Sequence, residues 1–313
     1  MATAPPAGRA WRSAVRLGVI SDVHGLLPAL VAVLQDMAPY EVQHLVVAGD
    51  LVGGPQPNEV VRLLQSCDAR MIIGNTDRAL LDYRAGSVPE AWRTCKQFAL
   101  LRWSAEHVDA GTLDLLRALP EQRVIDIPGT VPIRVVHGSP RDIGEQIFPL
   151  RDPEVLAAAL GQIDEPVLVC GHTHEPWVVA HGGRLALNPG AVCGPLDGFV
   201  GAQWALLTWH GRRWQVELRG VRYDLEDVRT AFRHSGLLAD GGVLARGFLL
   251  CLETGRNVWG DFLTFARELA QSGGLLASRR GLAGAGTSEA IPDEAWDEAV
   301  ARFDWQAAER QRR

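Results

Sequence analysis

Between Arg16 and His174 the chain repeats one local event five times: a short apolar run rich in Val, Ile and Leu stops at an Asp, Asn or His. The runs are RLGVIS, HLVVAG, ARMIIG, IRVV and PVLVCG, and the residues that end them are Asp22 and His24, Asp50, Asn75 and Asp77, His137, and His172 and His174. Apolar runs of this length without polar alternation suit strands buried on both faces. LLPALVAVLQDM, PNEVVRLLQ and DPEVLAAAL lie between runs and carry their apolar residues at helical spacing. Strands alternating with such helices predict a layered α/β fold. Open sheets of that class bind ligands at the carboxyl ends of their strands, which would bring the run-ending residues to one rim.

The rest of the chain changes in texture. A longer helical region runs from about Trp92 to Leu119 with a break near Gly111, and after His174 two hairpins are expected, WVVAHGGRLAL and QWALLTWHGRRWQVEL, turning at Gly-Gly and His-Gly. From Asp224 helical spacing returns in LEDVRTAFRHSGLL, GGVLARGFLLCLETG and WGDFLTFARELAQ. SGGLLASRRGLAGAGTSEA reads as a linker, and a last acidic, aromatic helix ends in ERQRR as a solvated tip. Residues 1–14 read as a disordered lead-in lacking the apolar segment of a signal peptide. No apolar run approaches the ~20 residues that span a bilayer. Five cysteines, odd in number and without CxxC spacing, suit reduced thiols in the cytoplasm better than a disulfide framework. A net charge of -6 argues against an extensive nucleic-acid surface. A phosphate-bearing ligand would therefore need a concentrated local source of positive charge.

The run-ending residues supply one. Neutral imidazoles and carboxylates suit Mn, Fe, Co, Ni or Zn, and the absence of cysteine from the set argues against a structural thiolate zinc site. The set is large enough for a metal pair, and two ions about 3.5–4 Å apart can clamp the oxygens of an in-line phosphoryl displacement. Such ions also lower the pKa of bound water from about 15.7 to about 7, which makes hydroxide available at neutral pH.

The ordered series DVHG, GDLVGG, GNTD, HGSP and GHTH resembles the calcineurin-like metallophosphoesterases, in particular their compact bacterial phosphodiesterase branch. The resemblance runs from about Leu17 to Tyr223 and takes in LNPGAVCGPLDG, similar to the loop that follows the last ligands in that branch. It implies a sandwich of two mixed β-sheets flanked by helices over residues 15–223, with residues 224–313 a C-terminal helical extension packed on or capping the core. It further implies that Asp22, His24 and His174 hold one divalent ion, that Asn75, His137 and His172 hold the other, and that Asp50 bridges them, with Mn favoured. The activity implied is phosphodiester hydrolysis by a metal-bridging hydroxide, with His137 and Asn75 at the reacting phosphoryl group.

Two departures stand out. Where many family members read Gly-Asn-His, this chain has Gly74, Asn75 and Thr76, so the histidine that protonates the leaving group is missing. The phosphodiesterase branch commonly lacks it too and carries Asp at the position of Asp77. That residue is a catalytic candidate, read as orienting a ligand or nearby backbone, or as a turn cap. The loop containing Ala191 and Cys193 is bulkier than the similar stretch of the family. Arg141, directly after HGSP, is a candidate for substrate phosphate through its fork of donors. The competing readings are a phosphomonoesterase acting on nucleotides, a diadenosine polyphosphate or a phosphoprotein, and a non-catalytic metal-binding scaffold. The partners expected are a phosphoester substrate and a second copy in a homodimer, with no membrane.

Overall fold

A computed structural model describes residues 14–276 and 290–310. Nearly all of the expected lead-in, most of the linker and the last three residues of the basic tip lie outside the described residues. In chain order the elements are β1 Arg16–Ile20, α1 Leu27–Met37, β2 His44–Val47, α2 Pro57–Ser66, β3 Arg70–Met71, α3 Asn75–Ala85, α4 Glu90–Thr94, α5 Ala99–His107 and α6 Ala110–Ala118. They continue with β4 Gln122–Ile125, β5 Ile133–Val136, α7 Pro153–Leu160, β6 Val167–Val169, β7 Trp177–His181, β8 Arg184–Asn188, β9 Ala202–Trp209 and β10 Trp214–Val221. The C-terminal helices are α8 Leu225–His234, α9 Leu237–Asp240, α10 Gly242–Thr254, α11 Val258–Ser272, α12 Asp293–Arg302 and α13 Trp305–Glu309.

The strands form two five-stranded sheets, ordered β10-β9-β1-β2-β3 and β4-β5-β6-β8-β7. Both are mixed: β1, β2 and β3 run parallel, as do β5, β6 and β8, with antiparallel partners outside them. Alternation within the apolar runs explains the sandwich. Leu17 and Val19 of β1 meet Ile133 and Val135 of β5 and Val167 and Val169 of β6 between the sheets. The alternate residues face helices, Ile20 toward α1 and Leu168 toward α7. Helices α1, α2 and α7 each carry Pro in the first two positions, where its missing N–H costs nothing.

The long helical region breaks twice, at Cys95, which was not expected, and just before Gly111, where Asp109 caps α6 by accepting from Thr112 N at 2.8 Å. The segment after Tyr223 does not form a separate core. Phe232, Phe248, Phe262, Trp296 and Trp305 share one buried cluster with Leu30, Val33, Leu51, Val52 and Trp204. Among the described residues, no helix is long and apolar enough to cross a membrane.

Candidate metal centre

The ends of the parallel strands deliver the expected side chains to one place. Asp22 and His24 follow β1, Asp50 follows β2, Asn75 opens α3, His137 follows β5, and His172 and His174 follow β6. Backbone bonds join these corners: Asp22 N donates to Gly49 O at 3.1 Å, His24 N to Asp50 O at 2.9 Å, Gly171 N to His137 O at 2.7 Å and Cys193 N to Asp22 O at 2.9 Å. Asp22, His24, Asp50, His172 and His174 all lie at positive φ, between 42° and 68°. Among the described non-glycine residues only Glu41 and Asp68 share that conformation. It is costly for most side chains, and its concentration at one spot marks a site where the surroundings enforce it. Two motif glycines are required by contact: a Cβ on Gly74 would sit 2.0 Å from Asp50 Oδ1, and one on Gly171 would sit 1.8 Å from Ser21 Oγ.

Two clusters of ligand atoms result, each within 4.8 Å across: Asp22, His24 and His174, and Asp22, Asp50 and His137. Asp50 Oδ2 lies 3.6 Å from His24 Nε2 and 3.5 Å from His137 Nε2, midway between the two halves. Asp22 Oδ1 leans to one side, 3.3 Å from His174 Nε2, 3.8 Å from His24 Nε2 and 4.0 Å from His137 Nε2. Asn75 Oδ1 joins the second half at 2.8 Å from His137 Nε2. His172 stands outside both compact groups, its ring edge-on to His137 with centroids 5.2 Å apart.

The donor atoms fit a divalent cation. Asp22 Oδ1 and His172 Nε2 are buried and have no hydrogen-bond partner, a costly state unless a positive charge meets them. His137 Nδ1 lies 2.7 Å from Ala48 O, and His174 Nδ1 lies 2.8 Å from Gly194 O. A carbonyl only accepts, so Nδ1 carries the proton in both rings and Nε2 is the atom turned to the centre, as ligation requires.

Burial alone would raise both carboxyl groups. For Asp22 the imidazoles of His174 and His137 outweigh it, and for Asp50 those of His137 and His24 do, so each stays well below the usual carboxylate range. Burial likewise opposes protonation of His137, yet Asp50 and Asp22 push it up to about 10, and Asp22 raises His174 against its own burial. Burial dominates for the other two: His24 falls, and His172 falls to about 4 with His137 adding to the effect. In the metal-free protein, the proton on His137 thus supplies positive charge that divalent ions would replace.

Two candidates are engaged away from the ligand cluster, Asp77 in the backbone-orienting way that was one of its readings. Asp77 does not reach the centre. It is fully buried, and its carboxylate accepts from Leu51 N at 2.9 Å, Val52 N at 3.0 Å and Gly74 N at 2.9 Å, which places it among the supports of the loops carrying Asp50 and Asn75. The fork of Arg141 is occupied by Glu145, with Nε 2.9 Å from Oε2 and a second, shorter contact from the terminal nitrogen to Oε1.

Three residues were not singled out as supports. Thr76 donates its backbone N–H to Asp50 Oδ1 at 2.8 Å and its hydroxyl to Asp50 Oδ2 at 2.7 Å. Ser21 donates to Asp22 Oδ2 at 2.6 Å, and the buried Asn188 donates to Gly171 O at 2.7 Å beneath the GHTH corner. The signals available were the Ser directly before Asp22 and the Asn of LNPG.

Residues 15–211, which include every candidate ligand, match the family model of the calcineurin-like phosphoesterase superfamily domain. An uncharacterized protein of Methanocaldococcus jannaschii is 28% identical over 228 residues, spanning 67% of this chain and 88% of that protein. The crystal structure of a metallophosphoesterase from Sphaerobacter thermophilus is similar with a TM-score of 0.63 and 30% identity, covering 78% of this chain and 100% of that one. A hypothetical protein from Pyrococcus horikoshii OT3 shares the fold with a TM-score of 0.64 at 20% identity, over 77% and 98% of the two chains.

Proposed function

Since the chain belongs to the calcineurin-like phosphoesterase superfamily and is a metal-dependent phosphoesterase, we propose that it is a phosphodiesterase using two divalent ions, Mn foremost. Asp22, His24 and His174 hold one ion in this reading, Asn75, His137 and His172 hold the other, and Asp50 lies between them. The observation that carries the two-ion reading is the midway position of Asp50 Oδ2, 3.6 Å from His24 Nε2 and 3.5 Å from His137 Nε2. Bound there, the ions would supply hydroxide at neutral pH and offset charge developing on the phosphoryl oxygens.

The chain's own residues set the geometry. Thr76 orients the shared carboxylate, Ala48 O and Gly194 O fix two imidazoles, and Asp77 holds the backbone of the loops bearing Asp50 and Asn75. A diester is favoured over a monoester by charge. Arg141 and Arg151, which follow the HGSP corner and face the GHTHE corner, are paired with Glu145 and Glu175, so neither guanidinium is uncommitted for a second phosphate charge. A cytoplasmic location belongs to the same proposal, supported by the free state of all five cysteines.

The test is turnover by metal-stripped protein with and without Mn, comparing bis-p-nitrophenyl phosphate with p-nitrophenyl phosphate. Metal-dependent hydrolysis with the diester faster is expected, and Asp50→Asn should lose more activity than His24→Ala. A faster monoester would make the protein a phosphatase, and no metal-dependent rate would make it a scaffold.

A further inference from the structure

The histidines of the centre are not held alike. His137 and His174 are tied through Nδ1 to backbone carbonyls at 2.7 and 2.8 Å. His24 has no such tie: among the described residues its ring makes one contact of hydrogen-bond length, Nε2 to His174 Nε2 at 3.2 Å. Its side chain is 14% exposed. Lying against it instead is Phe248 of α10, edge-on, with centroids 6.3 Å apart and planes at 81°.

Phe248 is itself firmly placed. It is 7% exposed and wedged against Phe232 of α8 and Trp259 of α11, at centroid distances of 5.3 and 5.8 Å. One turn further along α10, Leu252 approaches the loop whose Gly194 carbonyl holds His174: a Cβ on Gly194 would meet Leu252 Cδ2 at 3.6 Å and His174 Nδ1 at 3.9 Å. Gly198 N, in the same loop, donates to Gly255 O at the end of α10, at 2.9 Å. The C-terminal helices therefore buttress both histidines of the cluster that contains Asp22, His24 and His174. His137 is fastened separately, by Ala48 O and Asn75.

We propose that Phe248 is a positioning residue for His24, replacing with packing the hydrogen bond that fixes the rings of His137 and His174, so that the C-terminal extension sets the affinity of one ion of the pair and not the other. The inference rests on the reading that Asp22, His24 and His174 hold a single ion. A ring left free must be ordered when metal binds, and loss of that preorganisation weakens the site.

The experiment is calorimetric titration of the metal-free, full-length protein with Mn, with metal content measured after gel filtration. The proteins compared are the parent, His24→Ala, Phe248→Leu and Phe262→Leu. Phe248→Leu keeps apolar volume but removes the ring edge. It should weaken one ion on the order of 10-fold, the scale of losses seen when a group supporting a metal ligand is changed, and leave the other as in the parent. His24→Ala should lose the same ion outright. Phe262→Leu lies in the aromatic cluster of Trp296, Phe303 and Trp305; it should lower the melting temperature and leave both ions in place. If Phe248→Leu does not accumulate as folded protein, Phe248→Met carries the same expectation.

Parent-like binding of both ions by the Phe248 variant, with one ion lost in His24→Ala, overturns the role of Phe248 and leaves the metal assignment standing. Equal weakening of both ions in the Phe248 and Phe262 variants also overturns it, because that is general loosening. Two retained ions in His24→Ala overturn the metal assignment and the inference together.

Discussion

Replacing Thr76 by Val isolates one bond at the carboxylate of Asp50. The backbone N–H of Thr76 still reaches Asp50 Oδ1 at 2.8 Å, but the hydroxyl donated to Oδ2 at 2.7 Å is exchanged for a methyl group of nearly equal volume. A hydrogen bond to a charged partner is worth about 1.5–3 kcal/mol, and Asp50 is buried, so the metal-free protein should lose about that much stability. The sign with pH follows from the carboxyl. Asp50 has a folded-state pKa below its unfolded value, so the contribution is fully present above the unfolded pKa, near 4, and fades as pH falls further. The difference between parent and Thr76→Val should therefore be constant from about pH 5 to pH 8, because the two unfolded states titrate alike and Asp50 stays ionised in both folded proteins. Metal affinity should fall by roughly 10- to 100-fold, since partners that orient ligands typically matter that much. Thr76→Ser, which keeps the hydroxyl, should restore most of it. Urea unfolding across pH and competitive titration against a chelator measure the two effects. Unchanged stability and unchanged metal affinity in Thr76→Val would show that the hydroxyl contact has no energetic role.

Asp77→Asn puts an amide nitrogen against backbone N–H donors, and the unsatisfied pairing should cost about 1–3 kcal/mol in thermal melts of the metal-free protein. A parent-like melting temperature with a large fall in kcat would return Asp77 to the chemistry. A threonine hydroxyl such as that of Thr76 is too weak an acid to give the general-acid help worth about 10²–10⁴-fold, so rates across aryl phosphodiesters should fall steeply as leaving-group pKa rises; a flat dependence under chemistry-limited conditions would mean another residue donates the proton. A chain ending at Tyr223 should expose the surface now covered by Phe232, Phe248 and Phe262, and should aggregate or self-associate during gel filtration. A monodisperse product of unchanged association state would refute that.

How much of this could be read beforehand depended on where the information sits. The candidate ligands were legible because each is a side chain ending a buried run, and the fold then brings the strand ends together. The two hairpins and helices α1, α2 and α7 were legible for a similar reason, since turn glycines and early prolines are local signals. Helix α3 carried no such signal: of its eleven residues only Asp77 and Leu80 are buried, so no apolar stripe announces it. Strand β4 lies at a sheet edge with Ile125 alone buried, which erases the alternation that marks a half-buried strand.

The fasteners of the site were harder still. The carbonyls of Ala48 and Gly194 belong to the backbone, so no residue type advertises that they fix the tautomers of His137 and His174. Thr76 could be read only as a histidine that is not there, whereas in three dimensions its hydroxyl grips the carboxylate between the two halves. Phe248 was one apolar residue among many in GGVLARGFLLCLETG, and its neighbour His24 lies more than two hundred positions earlier in the chain. Ligand identity is thus a local property that a sequence displays. Ligand rigidity is a tertiary one, set by atoms whose contribution depends on the fold that carries them. Variants of the ligands test only the first, whereas Thr76→Val and Phe248→Leu keep every ligand and test the second.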